Sequence, residues 1–219
     1  MAGRDWYDWH APYDDPDSVL SRRLSWVRDR IRVALDEAPP GQVRLISLCA
    51  GQGRDVLGVL PGHPRRGDVT ARLVELDPRN TGVARRLAAE AGLDNVEIVT
   101  GDASLTSQYA DLVPAHVVLI CGMLGNMTDK NVELVIGYCT RLCAAGGTVI
   151  WTRGRSMLHA PEAPDLVPQV CAWFEQRGFE RVWLSDPEYK ACCGAHRFNR
   201  TPGPLEPGAT MFTFRRYRA

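Results

Sequence analysis

The chain has 219 residues, 45% of them hydrophobic and 24% charged, and its 26 basic and 26 acidic side chains leave no net charge. The length suits one α/β core, the proportions are those of a folded chain rather than a disordered or collagen-like one, and the charge balance argues against nucleic acid as a partner. The polar, aromatic start from Met1 to Trp9 is no secretory leader and no run approaches the roughly 18 apolar residues of a membrane span, so a soluble, cytoplasmic monomer or homodimer is expected.

Apolar positions at Val19, Leu20, Leu24, Val27, Ile31 and Leu35 recur at steps of three and four, which predicts an amphipathic helix over 18–35 after the turn-rich run Tyr13 to Asp17. Pro39-Pro40-Gly41 stops it. Val43 to Cys49 then reads as a buried parallel strand, followed by Ala50-Gly51-Gln52-Gly53 and a helix running to Leu60. Ala71 to Leu76 is a second strand ending at Asp77, Thr81 to Ala91 a helix, and Val96 to Val99 a short strand ending at Gly101-Asp102. Val117 to Cys121 is a strong apolar strand, Asp129 to Cys143 a helix, Thr148 to Thr152 a strand, and Val170 to Arg177 a helix. Two strand-like runs close the chain, Phe179 to Leu184 and Met211 to Tyr217, with only a Gly/Pro-rich excursion between them, which predicts an antiparallel pair. Strand-helix alternation with right-handed crossovers gives a doubly wound, mostly parallel sheet with helices on both faces. The organisation expected is an N-terminal arm and helix over 1–40 and a ligand-binding core over 41–219.

The seven cysteines lie largely inside apolar patterns, and neither Cys192-Cys193 nor Cys139/Cys143 has the spacing of a four-ligand zinc site, so reduced thiols and no metal are expected. The pairs Arg22-Arg23, Arg65-Arg66, Arg85-Arg86 and Arg215-Arg216 read as solvated helix faces and chain ends.

Chemistry concentrates at the strand ends. Gly51 and Gly53 leave space for a ligand to lie against the backbone, although glycines in such a turn often serve only a tight connection. Asp77 can accept both hydroxyls of a ribose, or simply be a turn aspartate before Pro78. Asp102 can reach an adenine amino group, or cap a helix. All three fall on the edge where open α/β sheets bind ligands, which points to a nucleotide-type site. Val56 stands where a dinucleotide fingerprint needs a small residue, and there is no G-x-x-x-x-G-K-[ST] loop, so an adenosyl ligand without a pyrophosphate remains.

In Leu45-Ile46-Ser47-Leu48-Cys49-Ala50-Gly51-Gln52-Gly53, Val74-Glu75-Leu76-Asp77, Val99-Thr100-Gly101-Asp102-Ala103 and Gly146-Gly147-Thr148-Val149-Ile150 the chain resembles the class I S-adenosylmethionine-dependent methyltransferases. The resemblance spans about residues 43 to 217. It implies a Rossmann-like, seven-stranded sheet with an antiparallel C-terminal strand, and a contact surface for S-adenosylmethionine that includes Ser47 and Ala50, with Gly51 and Gly53 lining the methionine part. It further implies Asp77 on the ribose, Asp102 and Ala103 at the adenine, and Cys121 and Gly122 facing cofactor and acceptor. The chain departs from the family at Ser47, where an acidic residue is common, and at Cys49, where glycine is common. The aromatic, acidic opening is also similar to small-molecule methyltransferases of actinobacterial type, so the expected partner is a small methyl acceptor. S-adenosylmethionine-dependent cyclases or lyases and a non-catalytic scaffold share the core and are the alternative readings.

Residues for the acceptor side come from Trp6 to Tyr13, Met123 to Asn126, Arg153 to Pro164 and Cys192 to Pro207. His10 and Tyr13 are the catalytic candidates, with an exposed terminal histidine as the plainer reading of His10. His159 and His196 read as surface or structural. The aromatics Trp6, Tyr7, Trp9 and Tyr13 either meet the sulfonium by cation–π contact or staple the arm. Residues 1–17 have no long apolar period and are expected to act as a lid.

Overall fold

The computed structural model describes residues 5–155 and 164–215. His159, most of the expected loop Arg153 to Pro164, and Arg216 and Tyr217 at the end of the last expected strand lie outside the described residues.

A helix needs its first N–H groups satisfied, and three of the four α-helices among the described residues are capped by a side chain. Ser18 accepts from Ser21 N at the start of α1 (Val19–Glu37), Asp77 from Arg79 N at α2 (Pro78–Glu90), and Thr128 from Asn131 N at α3 (Asp129–Leu142). The fourth, α4 (Val167–Gln176), has a proline in its first turn. The strands are β1 (Val43–Leu48), β2 (Val69–Glu75), β3 (Val96–Thr100), β4 (Ala115–Ile120), β5 (Cys143–Gly154), β6 (Phe179–Leu184) and β7 (Ala191–Phe198).

They form one sheet in the order β3-β2-β1-β4-β5-β7-β6, with β1 to β5 parallel and β7 antiparallel to both neighbours. Side chains alternate across a strand, so each strand feeds two cores. Leu45, Val117 and Leu119 pack with Val27 and Ile31 of α1 and Ala84 and Ala88 of α2. Ile46, Leu48, Val118 and Ile120 pack on the other face with Val132, Val135 and Ile136 of α3 and Val170 and Phe174 of α4. The predicted doubly wound class is what the structure shows.

Three sequence-based expectations are corrected. No helix follows Gly53: the segment is a series of turns ending in a short 3-10 turn at Leu60–Gly62. The carbonyl of Arg54, which would accept from Gly58 in a helix, instead accepts two bonds from the Arg28 guanidinium, at 2.7 and 3.0 Å. The antiparallel strand is Ala191–Phe198 rather than Met211 to Tyr217, so Cys192 to Phe198 is sheet and not an acceptor loop. That strand is inserted between β5 and β6 and buried, and Gly194 is required there because a Cβ would overlap the Trp151 ring. Small residues carry no β-propensity signal, which is why the run escaped detection. Finally, Arg65 is no solvated surface residue. Its Nη atoms donate to the carbonyls of Leu35, Ala38, Pro39 and Gly41 at 2.8 to 2.9 Å, satisfying the C-terminal end of α1.

Candidate active site

The sheet reverses direction of growth between β1 and β4, and the crevice at the carboxyl ends there is where an open α/β sheet can take a ligand. A cavity of about 500 Å³ occupies it. Its floor is Ser47, Cys49, Ala50, Gly51, Glu75, Asp102, Ala103, Cys121 and Gly122. Two segments cover it: the arm, through Trp6, Trp9, His10 and Tyr13, and the tail, through Phe212, Thr213, Phe214 and Arg215.

Of the expected cofactor residues, Ser47, Ala50, Gly51, Asp102, Ala103, Cys121 and Gly122 line this cavity; Gly53 and Asp77 do not. Gly53 is held at φ +66° and a Cβ there would meet Leu73 Cδ2 at 2.8 Å and Leu57 Cδ1 at 3.0 Å, so its bareness serves packing under the turn. Asp77 caps α2 and receives Arg79 Nε and Nη2 at 3.1 and 2.6 Å. Its carboxyl is held below the ordinary range by that arginine. At the end of β2 the acidic side chain that lines the cavity is Glu75, not Asp77. One carboxylate oxygen accepts from Gly51 N and the other from Asp77 N, both at 2.9 Å. This ties the glycine turn to the end of β2 and leaves lone pairs for ribose hydroxyls. Asp102 accepts from Ser104 N at 2.9 Å and caps no helix, while Gly122 N donates to Thr152 Oγ1 at 2.7 Å. Cys49 stands at φ +53°, in the region that favours glycine.

The arm is docked in this structure. Its 3-10 helix, Asp8–Asp14, carries His10, which is only 9% exposed. Asp5 pairs with Arg79 and Asp14 with Arg54, at 2.9 and 2.6 Å. The rings of Tyr7, Trp9 and Tyr13 face Arg79, Arg23 and Arg54. His10 is thus not an exposed terminal histidine. Its Nδ1 lies 2.7 Å from the Trp6 carbonyl, which can only accept, so in the neutral ring Nε2 carries the free lone pair. Burial pushes its pKa below the usual histidine value. Nε2 faces the glycine turn, where a Cβ on Gly51 would overlap it.

His196 is fully buried under Trp151 and Phe174, accepts from Trp151 Nε1 at 3.0 Å, and is structural. Among the described residues there is no cluster of three or more groups able to hold a metal, and no helix is long and apolar enough to cross a membrane. Sequence reasoning missed Glu75, Arg23 and Asp55 in the cavity wall and the tail aromatics Phe212 and Phe214. The signal for Glu75 was a charge inside an apolar strand.

This strand order, with one antiparallel strand inserted next to the edge, decides the architecture. The fold is that of the class I methyltransferases. No family model and no curated protein matches the chain. Solved structures do. An O-methyltransferase family protein from Burkholderia thailandensis is similar over 85% of this chain, at 17% identity and a TM-score of 0.62, and the match spans only 58% of that longer chain. The N-methyltransferase NodS from Bradyrhizobium japonicum matches over 86% of this chain and 99% of its own, at 12% identity and a TM-score of 0.60. An RNA methyltransferase from Salinibacter ruber, solved with S-adenosyl-L-homocysteine, matches over 85% and 96%, at 19% identity and a TM-score of 0.52. At these identities the likeness speaks for the fold, and the acceptors of these proteins differ from one another.

Proposed function

We propose that the protein is an S-adenosylmethionine-dependent methyltransferase acting on a small molecule. The observation that carries this reading is the carboxylate of Glu75, which spans the glycine turn and the end of β2 at the floor of the covered cavity. The residues fit the cofactor: Glu75 would take the ribose, Asp102 and Ala103 the adenine, and Ser47, Ala50, Gly51, Cys121 and Gly122 the remainder. When bound, S-adenosylmethionine supplies an electrophilic methyl group on a sulfonium.

The chain's own contribution is chiefly to hold, orient and shield. The arm and tail line the crevice on the side away from the strand ends. His10 Nε2, which carries the free lone pair of the neutral ring, takes the proton from an acceptor hydroxyl or amine that reaches it beside the glycine turn, and Tyr13 fixes the neighbouring Arg23. A roof made of the chain's own segments favours an acceptor small enough to share a cavity of about 500 Å³ with the cofactor over a polynucleotide, and the balanced charge agrees. Titration calorimetry with S-adenosylhomocysteine tests the cofactor reading: one-to-one binding is expected, and no binding at millimolar ligand removes it.

A further inference from the structure

Asn80 is fully buried in the first turn of α2 and lines the cavity, yet its Nδ2 has no hydrogen-bond partner among the described residues. Its Oδ1 is engaged, because Gln52 Nε2 donates to it at 3.3 Å. The direction of both amides is fixed from Arg54, which can only donate. The Gln52 atom 2.8 Å from Arg54 Nε is therefore the carbonyl oxygen, which leaves Gln52 its N–H₂ for Asn80 and leaves Asn80 its N–H₂ for the cavity. A buried donor without an acceptor is costly, so a ligand atom that completes it is held firmly. Arg54 is itself held by the N-terminal arm: its Nη1 donates to Asp14 Oδ1 at 2.6 Å, and the Tyr13 ring lies 5.8 Å from its guanidinium carbon. Three hydrogen bonds in series thus lead from the arm to the Asn80 amide.

The neighbour of that amide says what it would meet. Gly51 N is bonded to Glu75 and the next residue, Gln52, is bonded to Asn80, so the carboxylate and the amide stand side by side on the cavity floor. Glu75 offers only lone pairs and the free edge of Asn80 offers only N–H groups. A hydroxyl, which donates and accepts at once, satisfies both. A phosphate or carboxylate would meet the Glu75 charge, and a ring nitrogen has no proton to give it. Hydrogen bonds in series polarise one another, so a contact made at one end of such a relay strengthens the bonds at the other. We propose that Asn80 donates to one hydroxyl of the ligand's ribose, and that the relay through Gln52 and Arg54 to Asp14 couples this contact to docking of the N-terminal arm. The inference rests on the adenosyl reading of the cavity and adds to it a sensor for the sugar: a donor that lacks the hydroxyl binds without securing the arm.

The test compares S-adenosylhomocysteine with its 2′-deoxy and 3′-deoxy forms on the full-length wild type, Asn80→Leu and Gln52→Leu. Calorimetry gives affinity, and hydrogen exchange over residues 5–17 at saturating ligand reports arm docking. In the wild type each deoxy form binds more weakly than the parent. In Asn80→Leu the penalty for one of the two missing hydroxyls shrinks by about threefold or more while the other is unchanged, which identifies the hydroxyl that Asn80 meets. The deoxy form lacking that hydroxyl protects the arm of the wild type less than the parent does, and Gln52→Leu, with the relay cut, removes the difference. Penalties that are the same in wild type and Asn80→Leu overturn the contact and leave the amide to a buried water. Arm protection in the wild type that is equal for all three ligands overturns the coupling, a comparison that needs no variant to fold. Both results leave the adenosyl reading intact as long as the wild type binds S-adenosylhomocysteine. A wild type that binds none of the three overturns that reading and this inference with it.

Discussion

Glu75 accepts from the backbone N–H of Gly51 at 2.9 Å, joining the turn after β1 to the end of β2 by a side chain rather than by the sheet ladder. The carboxylate therefore sets the shape of the turn and presents its remaining lone pairs to the cavity.

Replacing Glu75 by Gln puts an amide N–H₂ against one of the two backbone donors it now serves. Affinity for S-adenosylhomocysteine should fall at least tenfold, about 1.4 kcal/mol, within the range for bonds to a charged group. Asp77→Ala should leave affinity within about twofold and cost about 1 kcal/mol of stability through loss of the α2 cap. Calorimetry and denaturant melts on both variants check the pair, and the reverse pattern returns the ribose role to Asp77.

Gly51 and His10 should be coupled. A Cβ at Gly51 overlaps the imidazole, so Gly51→Ala forces the arm off the cavity and adds strain at φ +57°. Removing the ring in His10→Gly makes room, and the double variant should therefore lose less arm protection than the single effects sum to. Hydrogen exchange over residues 5–17 measures it; strict additivity would show that the ring and the turn do not meet.

Part of the site was legible because its signals are local. Gly51, Asp102 and Gly122 sit at turns that end apolar runs, and a run of that kind shows where a strand stops. The distinction between Glu75 and Asp77 is not local: both are acidic and close to a strand end. What separates them is that Asp77 caps α2 and meets Arg79, while Glu75 meets a turn 24 residues earlier in the chain. The tail was illegible for a related reason. Met211, Phe212 and Phe214 make an apolar run like that of a strand, yet the segment is tied to the chain after β3 by single bonds, such as Met211 N to the Ser104 carbonyl.

His196 should make the fold acid-sensitive. Burial lowers its pKa to about 3, from 6.5 in an ordinary environment. Protonation thus favours the unfolded chain, and the stability from burying the neutral ring is present above about pH 6.5 and lost as pH falls toward 3. The slope from this one group approaches 1.4 kcal/mol per pH unit. His196→Phe should lower stability at pH 7, because Trp151 Nε1 loses its acceptor, and flatten the fall between pH 6.5 and 4.5. Denaturant melts across that range check it, and parallel wild-type and variant profiles would refute it.

Arg65→Ala leaves four carbonyls near the end of α1 without their shared donor. A loss of about 2 to 3 kcal/mol is expected with ligand affinity unchanged, since Arg65 is remote from the cavity. A loss under about 0.5 kcal/mol would mean water replaces the guanidinium.

The central claim is best tested by product analysis with S-adenosylmethionine bearing a trideuterated methyl group, offered with a panel of small hydroxyl, amine and thiol compounds and, separately, with total RNA. The expected products are S-adenosylhomocysteine and a small molecule heavier by one trideuteromethyl group, with no label in RNA. Label in RNA, or release of methylthioadenosine in place of S-adenosylhomocysteine, would contradict it.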